Sequence, residues 1–318
     1  MKEVVAGVDI GGTNTVSGLV DRSGNIIATE KLITTDYPEI NDFISALSAS
    51  INRMLSKEKG LQLLGIGIGA PNGNYYRGTI ELAANLAWQG IIPFADLLRE
   101  KIDVPVLMTN DANAAAMGEM IFGAAKGMKD FIVLTLGTGL GSGIVINGEI
   151  VYGSTGFAGE LGHSVVVPDG RQCGCGQRGC LETYASATGL VKTALFLLSD
   201  RREDSILRGI APSELTSKKI AEAAASKDSL ALEAMDFTAE KLAAGITDAV
   251  VFSSPEAVFF FGGLARAGEM LFDPVRKYVD LKIMPIFRGT VKILPSGIPE
   301  NNAAVLGSAA LIWNKTSL

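Results

Sequence analysis

The chain of 318 residues is 47% hydrophobic, carries a formal net charge of -6, and holds one histidine and three cysteines. Such a length makes one large or two medium domains, with enough apolar material for a core that needs neither a disulfide nor a metal merely to fold. The acidic balance excludes a nucleic-acid footprint, which needs a basic stripe, and the longest apolar runs, FIVL and VFFF, stop far short of a bilayer span.

The N-terminus MKEVVAGVDIGGTN meets acid at Glu3 and Asp9 before a signal-peptide core could form, so a cytoplasmic protein with a small-molecule partner is expected. VVAGVDI, TVSGLVD and NIIATEKLI read as an antiparallel meander of three strands, separated by Gly-Gly-Thr-Asn and Arg-Ser-Gly-Asn turns. Gly11, Gly12, Thr13 and Asn14 form either an ordinary hairpin turn or a phosphate cradle. In the cradle, glycine lets backbone N–H groups face the oxygens and Thr adds a hydroxyl donor. Asp9 favours the cradle, because a carboxylate inside an apolar strand is costly without a partner such as Mg2+.

Ile40, Phe43, Ile44, Leu47, Ile51 and Leu55 recur at helical spacing and predict a helix over 39–58. LLGIGIG is the next strand. Its Gly65-x-Gly67-x-Gly69-Ala70 formally fits a dinucleotide-binding fingerprint, but Pro71-Asn72-Gly73 follows where a helix is required, and no P-loop motif occurs in the chain. A long Gly/Asn/Tyr loop, a helix near 94–101 and the strand VPVLMT come next. Asn110 and Asp111 close that strand and open the alanine-rich helix ANAAAMGEM, where a carboxylate is favoured by the helix N-terminus. FIVLTLGTGLGSGIVING then repeats the opening layout of apolar strand, Gly/Thr turn (Gly137, Thr138, Gly139) and apolar strand, which suggests two related halves. Residues 186–252 read as helices, with a long amphipathic one near 229–252. After Pro255, AVFFFGGLARAG is a buried strand entering a Gly262-Gly263 turn and a helix, and NNAAVLGSAALIW is helical.

The only histidine and all three cysteines fall within HSVVVPDGRQCGCGQRGC. His163, Cys173, Cys175 and Cys180 offer one nitrogen and three sulfurs, a set suited to tetrahedral Zn2+, and four protein ligands leave no open position, so the ion would be structural. A redox Cys pair is the weaker alternative, because C-x-C is not C-x-x-C. The metal would pin two flanking acids, Glu160 and Glu182, beside each other, the weaker alternative being that each is a solvated loop acid. With the histidine taken by zinc, a proton acceptor must be a carboxylate. Asp111 is the best candidate, beside Asn110 whose amide can orient a hydroxyl; its alternative role is that of a plain helix N-cap.

In order along the chain, DIGGTN, NDANAAAMGE, LGTGLGSG, GELGH, CGCGQRGCLE and FFFGGLA resemble the motifs of the ROK family of sugar kinases and sugar-responsive repressors, from residue 9 to residue 263. The resemblance implies an α/β, two-domain actin-like ATPase (ribonuclease H-like) fold with an interdomain cleft. It implies a small domain of residues 1–109 plus 303–318, to which the final helix returns, and a large domain of residues 110–302 carrying the zinc loop. The reaction implied is ATP-dependent phosphorylation of a hexose 6-hydroxyl. Glucose is the first expectation, with N-acetylmannosamine, N-acetylglucosamine, fructose and allose as alternatives.

In that scheme Asp111 is the general base and Asn110 binds the sugar. Glu160 and Glu182 accept hydrogen bonds from sugar hydroxyls, and His163 turns its second ring nitrogen to the sugar. The zinc pattern of the family is matched at every position. Asp9 holds Mg2+ through water, the two Gly/Thr loops grip the phosphates of ATP, and Gly262 and Gly263 let the adenosine approach, unless they are only a packing turn. Asn72 and the segment GNYYRGTIELAANLAWQG, which departs from the family's simpler Pro-Gly-rich stretch, line the end of the pocket near the sugar's 2-substituent. A homodimer or homotetramer is implied. Two other classes stay open: a ROK-type transcriptional regulator, for whose preceding helix-turn-helix the strand beginning by residue 3 leaves no room, and a sugar-binding protein without kinase activity.

Overall fold

In the computed structural model, which describes residues 1–316, the chain opens with β1 (Lys2–Ile10), β2 (Asn14–Val20) and β3 (Ile26–Ile33). Residues 317 and 318, the end of the expected 303–318 segment, lie outside the described residues. The three strands pair antiparallel, as the alternating apolar runs and glycine turns predict. Helix α1 (Ile40–Lys57) buries Phe43, Ile44, Leu47, Ile51 and Met54 on one face. Strand β4 (Leu61–Gly69) follows and pairs parallel to β1.

The segment expected as a long loop instead contains three short strands, β5 (Gly73–Asn74), β6 (Thr79–Glu81) and β7 (Ile91–Ile92), in a small sheet of their own. The reason is apolar anchoring: Ile80, Leu86 and Trp88 are buried, and the Trp88 indole packs at a tilt 4.6 Å from the Phe43 ring and donates to the Tyr37 carbonyl at 3.0 Å. Helix α2 (Phe94–Arg99), strand β8 (Val106–Thr109) and helix α3 (Asp111–Ile121) complete this stretch. The first large sheet has the order β3-β2-β1-β4-β8.

The second series begins with β9 (Phe131–Leu136), β10 (Leu140–Ile146) and β11 (Glu149–Ile150). Helices α4 (Ala187–Asp200), α5 (Ser217–Ala225) and α6 (Ser229–Ser253) come next, and α6 ends at a left-handed Ser254 before Pro255. Strand β12 (Ala257–Phe261), helix α7 (Glu269–Lys282) and strand β13 (Lys292–Pro295) follow, then α8 (Glu300–Lys315). The second sheet runs β11-β10-β9-β12-β13, with β12 parallel to both β9 and β13. Numbered within itself, each large sheet therefore has the strand order 3-2-1-4-5, so the repeated layout read in the sequence is a repeated topology.

The chain divides into two compact units. One holds residues Met1–Met128 and Gly143–Ala158 and the segment from Ser296 onward, and the other holds Lys129–Ser142 and Gly159–Pro295, so that the chain passes between units within β10. In the first unit α8 lies across β1 and β4. The glycines that mimic a dinucleotide fingerprint are explained by this packing: a Cβ on Gly7 or Gly67 would collide with the carbonyls of Val305 and Ser308, and the Gly69 amide donates to the Ser308 hydroxyl at 3.1 Å. In the second unit Phe131 and Phe259 pack edge to face on neighbouring strands, and Phe260 meets Phe272 of α7. Among the described residues no helix is long and apolar enough to cross a membrane.

Candidate active site

The first unit carries Asp9, the Gly11–Asn14 turn, Asn72, Asn110 and Asp111. Gly11 donates to the Asn14 carbonyl at 2.9 Å, closing the turn between β1 and β2 and leaving Thr13 exposed. Gly12 has no room for a side chain, since a Cβ would lie 2.5 Å from the Asn85 carbonyl. Asp9, one residue from the end of β1, is half-buried. Burial first, and the nearby Asp111 second, push its carboxyl up to about 6. Two carboxylates that repel one another at a strand end are suited to a cation.

The Asn110-Asp111 pair divides its labour in a way the sequence left open. Asn110 is the N-cap of α3: its buried Oδ1 accepts from the Asn113 N–H at 2.7 Å. Its amide nitrogen takes no part in that cap. Asp111 is not the cap. It occupies the first helical position, exposed, with Oδ1 accepting from the Ala112 N–H at 2.8 Å. Dense protein around it pushes its carboxyl upward, against the pull of the Ala112 and Asp111 amides; because the residue keeps an open face to solvent, the direction of that shift is what bears on its chemistry.

Asn72 stands apart from this pair in its bonding. Left-handed at φ 49°, it gives its amide N–H groups to the carbonyls of Glu81 at 2.9 Å and Leu82 at 3.3 Å, so its nitrogen holds the small sheet and only its oxygen is open to a ligand. The adjoining Asn74 is buried and ties the same segment to Thr155, while Tyr75 stacks on Tyr152 at 4.1 Å.

The second unit carries the remaining residues. Ligand atoms of His163, Cys173, Cys175 and Cys180 lie within 4.8 Å of one another, with Cys175 and Cys180 sulfurs 3.6 Å apart and the Cys173 sulfur 3.6 Å from His163 Nδ1. A tetrahedral ion with Zn–S bonds of about 2.3 Å requires sulfur separations of about 3.8 Å, so the four side chains fit zinc. His163 turns Nδ1 to the cluster and Nε2 toward Glu160, 3.9 Å away. Glu160 is exposed and Glu182 half-buried.

Glu182 joins the cluster to the Gly/Thr loop. Its Oε1 accepts from Cys173 at 3.0 Å, its Oε2 from the Leu140 N–H at 3.4 Å, and a Cβ on Gly139 would lie 2.6 Å from Oε2. The loop itself is pinned by the start of α4: the Ala187 N–H donates to Gly137 at 2.9 Å and the Thr188 hydroxyl to Thr138 at 2.6 Å. Gly262 takes φ 101°, and a Cβ there would crowd Leu136, whereas Gly263 faces open space. A cavity of about 440 Å3 opens beside Gly263, between Ser217 and Ala221 of α5 and Met270 of α7, within the usual range for small-molecule sites.

Two positioning residues escaped sequence reasoning. Buried Ser142 donates to the Gly159 carbonyl and accepts from the Leu161 N–H at 3.2 Å, fixing the loop that carries Glu160. Ser186 caps α4 through the Gly189 N–H at 3.0 Å, a signal legible as a Ser opening an apolar helix.

The sequence profile of the ROK family matches residues 5–315. The chain is 36% identical over 311 residues to a glucokinase from Thermotoga maritima, covering 96% of each protein. It is 30% identical over 310 residues to a xylose repressor from Bacillus spizizenii, covering 96% of this chain and 76% of the repressor. Among solved structures it is similar to a ROK family glucokinase from Streptomyces griseus in complex with glucose and AMPPNP, with a TM-score of 0.80 and 35% identity over 97% of this chain and 98% of that one.

Proposed function

The chain belongs to the ROK family, with its actin-like ATPase fold, and we propose that it is an ATP-dependent kinase of the hexose 6-hydroxyl, glucose first. The observation that carries this reading is the division of labour at α3: Asn110 caps the helix, so the Asp111 carboxylate is available as a base. Asp111 takes the proton from the sugar 6-hydroxyl as that oxygen attacks the γ-phosphorus of ATP, and a carboxyl shifted upward is better matched to that task near neutral pH. The Asn110 amide nitrogen donates to the sugar. Glu160 and Glu182 accept from sugar hydroxyls, with His163 Nε2 beside Glu160. The Oε1 of Glu182 is released for this when Cys173 is a thiolate, since its S–H then no longer donates.

Gly11 to Asn14 and Gly137 to Gly139 offer backbone and threonine donors to the phosphates, and the cavity beside Gly263 takes the adenosine. Asp9 would hold magnesium, which when bound would supply charge neutralisation of the phosphates, and His163, Cys173, Cys175 and Cys180 would hold a structural zinc. Asn72, through its remaining oxygen, reads the sugar near its 2-substituent. The likeness to a glucokinase is higher in identity than that to a xylose repressor, which favours the catalytic reading over a regulator or a silent sugar-binding protein. The protein acts in the cytoplasm as a homodimer or homotetramer, without nucleic acid. Phosphorus NMR of the product tests the regiochemistry: glucose 6-phosphate is expected, and phosphorylation at any other hydroxyl would overturn the placement of Asp111.

A further inference from the structure

Behind the Glu182 segment lies a cavity of about 490 Å3 that none of the roles above uses. Its apolar walls are formed by Tyr184, Phe196, Leu197 and Phe237, and its charged lining is Arg171 together with the mutually paired Arg201 and Glu233. The half-buried Arg171 guanidinium lies 4.6 Å over the Tyr184 ring and donates from Nη1 to the carbonyls of Thr183 at 2.8 Å and Gly189 at 3.1 Å, and from Nη2 to the Thr193 hydroxyl at 3.0 Å. Two of its five N–H groups remain uncommitted. Among the described residues no carboxylate is within ion-pairing distance of it. A desolvated cation without a counter-ion is costly, and the cost falls when an anion is supplied.

We propose that this cavity is a second ligand site, taking a small monocarboxylate with an aromatic or branched apolar body, whose occupation tunes the sugar and phosphate contacts of the second unit. The charge count favours a monoanion. The other arginine at the rim, Arg201, is already paired with Glu233 at 3.0 Å, so one positive charge is left to neutralise and a second negative charge would face Glu233. The size and apolar walls suit a ligand of roughly ten heavy atoms.

The coupling runs through Arg171 itself. It holds the Thr183 carbonyl, next to Glu182, and the Gly189 carbonyl in the turn of α4 whose Ala187 and Thr188 pin Gly137 and Thr138. A carboxylate that draws the guanidinium toward the cavity loosens both attachments, so the ligand acts as an inhibitor that raises the sugar KM. This second part rests on the kinase reading; the binding does not.

The test uses the full-length zinc-loaded protein and the isosteric pair phenylacetate and phenylacetamide, titrated by calorimetry. Saturable binding of one phenylacetate per chain, at least about tenfold tighter than the amide, is expected. Leu197→Trp, which fills the cavity, should abolish it, and Phe196→Glu, at a position 61% exposed and therefore safe for folding, should weaken the acid more than the amide. No saturable binding up to about 10 mM, equal affinities for acid and amide, or binding indifferent to both variants would overturn the proposal. Because the readout is heat of binding and not turnover, a failure of the kinase reading leaves this result standing or falling by itself.

Discussion

Asp111 and Asn110 sit one position apart, yet the fold gives them different physical tasks. Removing the cap in Asn110→Ala costs helix α3 its first side-chain hydrogen bond, and a stability loss of about 1 kcal/mol is expected in a denaturant titration, together with a raised sugar KM. Asp9 makes a different kind of prediction. Its carboxyl is pushed from 3.8 to about 6 in the folded chain, so the native state holds that proton more tightly than the unfolded state does. The resulting penalty is absent below about pH 4, grows as pH rises, and is complete above about pH 6. In divalent-free buffer Asp9→Asn should therefore be more stable than the parent by about 1–3 kcal/mol above pH 6, the difference vanishing below pH 4. A variant less stable at every pH would mean that Asp9 has a favourable partner within the protein. The costly carboxylate inside an apolar strand was legible from sequence, because it needs only the period of β1. The capping assignment was not, because Ser, Asn and Asp are nearly equivalent as caps and two of them stand in tandem.

At the scale of elements, the opening meander, α1, β12 and the closing helix follow from hydrophobic period and glycine turns, and they occur where the sequence predicts them. The small sheet of β5, β6 and β7 was not legible, because its strands are two or three residues long. They are held by burial of Ile80, Leu86 and Trp88 and not by local pattern. The glycines of β4 were recognisable as an imperfect nucleotide motif, but their reason lies in α8, more than two hundred residues away. The zinc loop is the opposite case. Its four ligands fall within eighteen residues, so sequence proximity forces spatial proximity. Metal analysis of the purified protein should give one zinc per chain. Cys180→Ser, which removes a fully buried ligand, should lose the metal and raise the sugar KM by at least about tenfold, since Glu160 and Glu182 are held by that loop. A zinc-free protein with an unchanged KM would sever the cluster from the sugar site.

For the molecule as a whole, the two large sheets repeat one strand order, and each has a Gly/Thr turn after its first strand. The unit with Asp9 and Asp111 brings like charges and the proposed base; the unit with Glu160, Glu182 and the four-residue Cys/His cluster brings the proposed hydroxyl acceptors and a cavity of about 440 Å3 beside Gly263. Neither set suffices for phosphoryl transfer, which is catalysed chiefly by positioning and charge stabilisation, so the account stands or falls on turnover by the intact chain. The most direct measurement is ADP release from Mg-ATP with glucose, N-acetylmannosamine, N-acetylglucosamine, fructose, mannose and allose, run beside Asp111→Asn. Turnover with glucose above the other sugars, reduced at least about a hundredfold in Asp111→Asn while the variant stays folded and zinc-loaded, is the predicted result. Silence of the folded, zinc-loaded parent on every sugar, or an Asp111→Asn variant as fast as the parent, would contradict it.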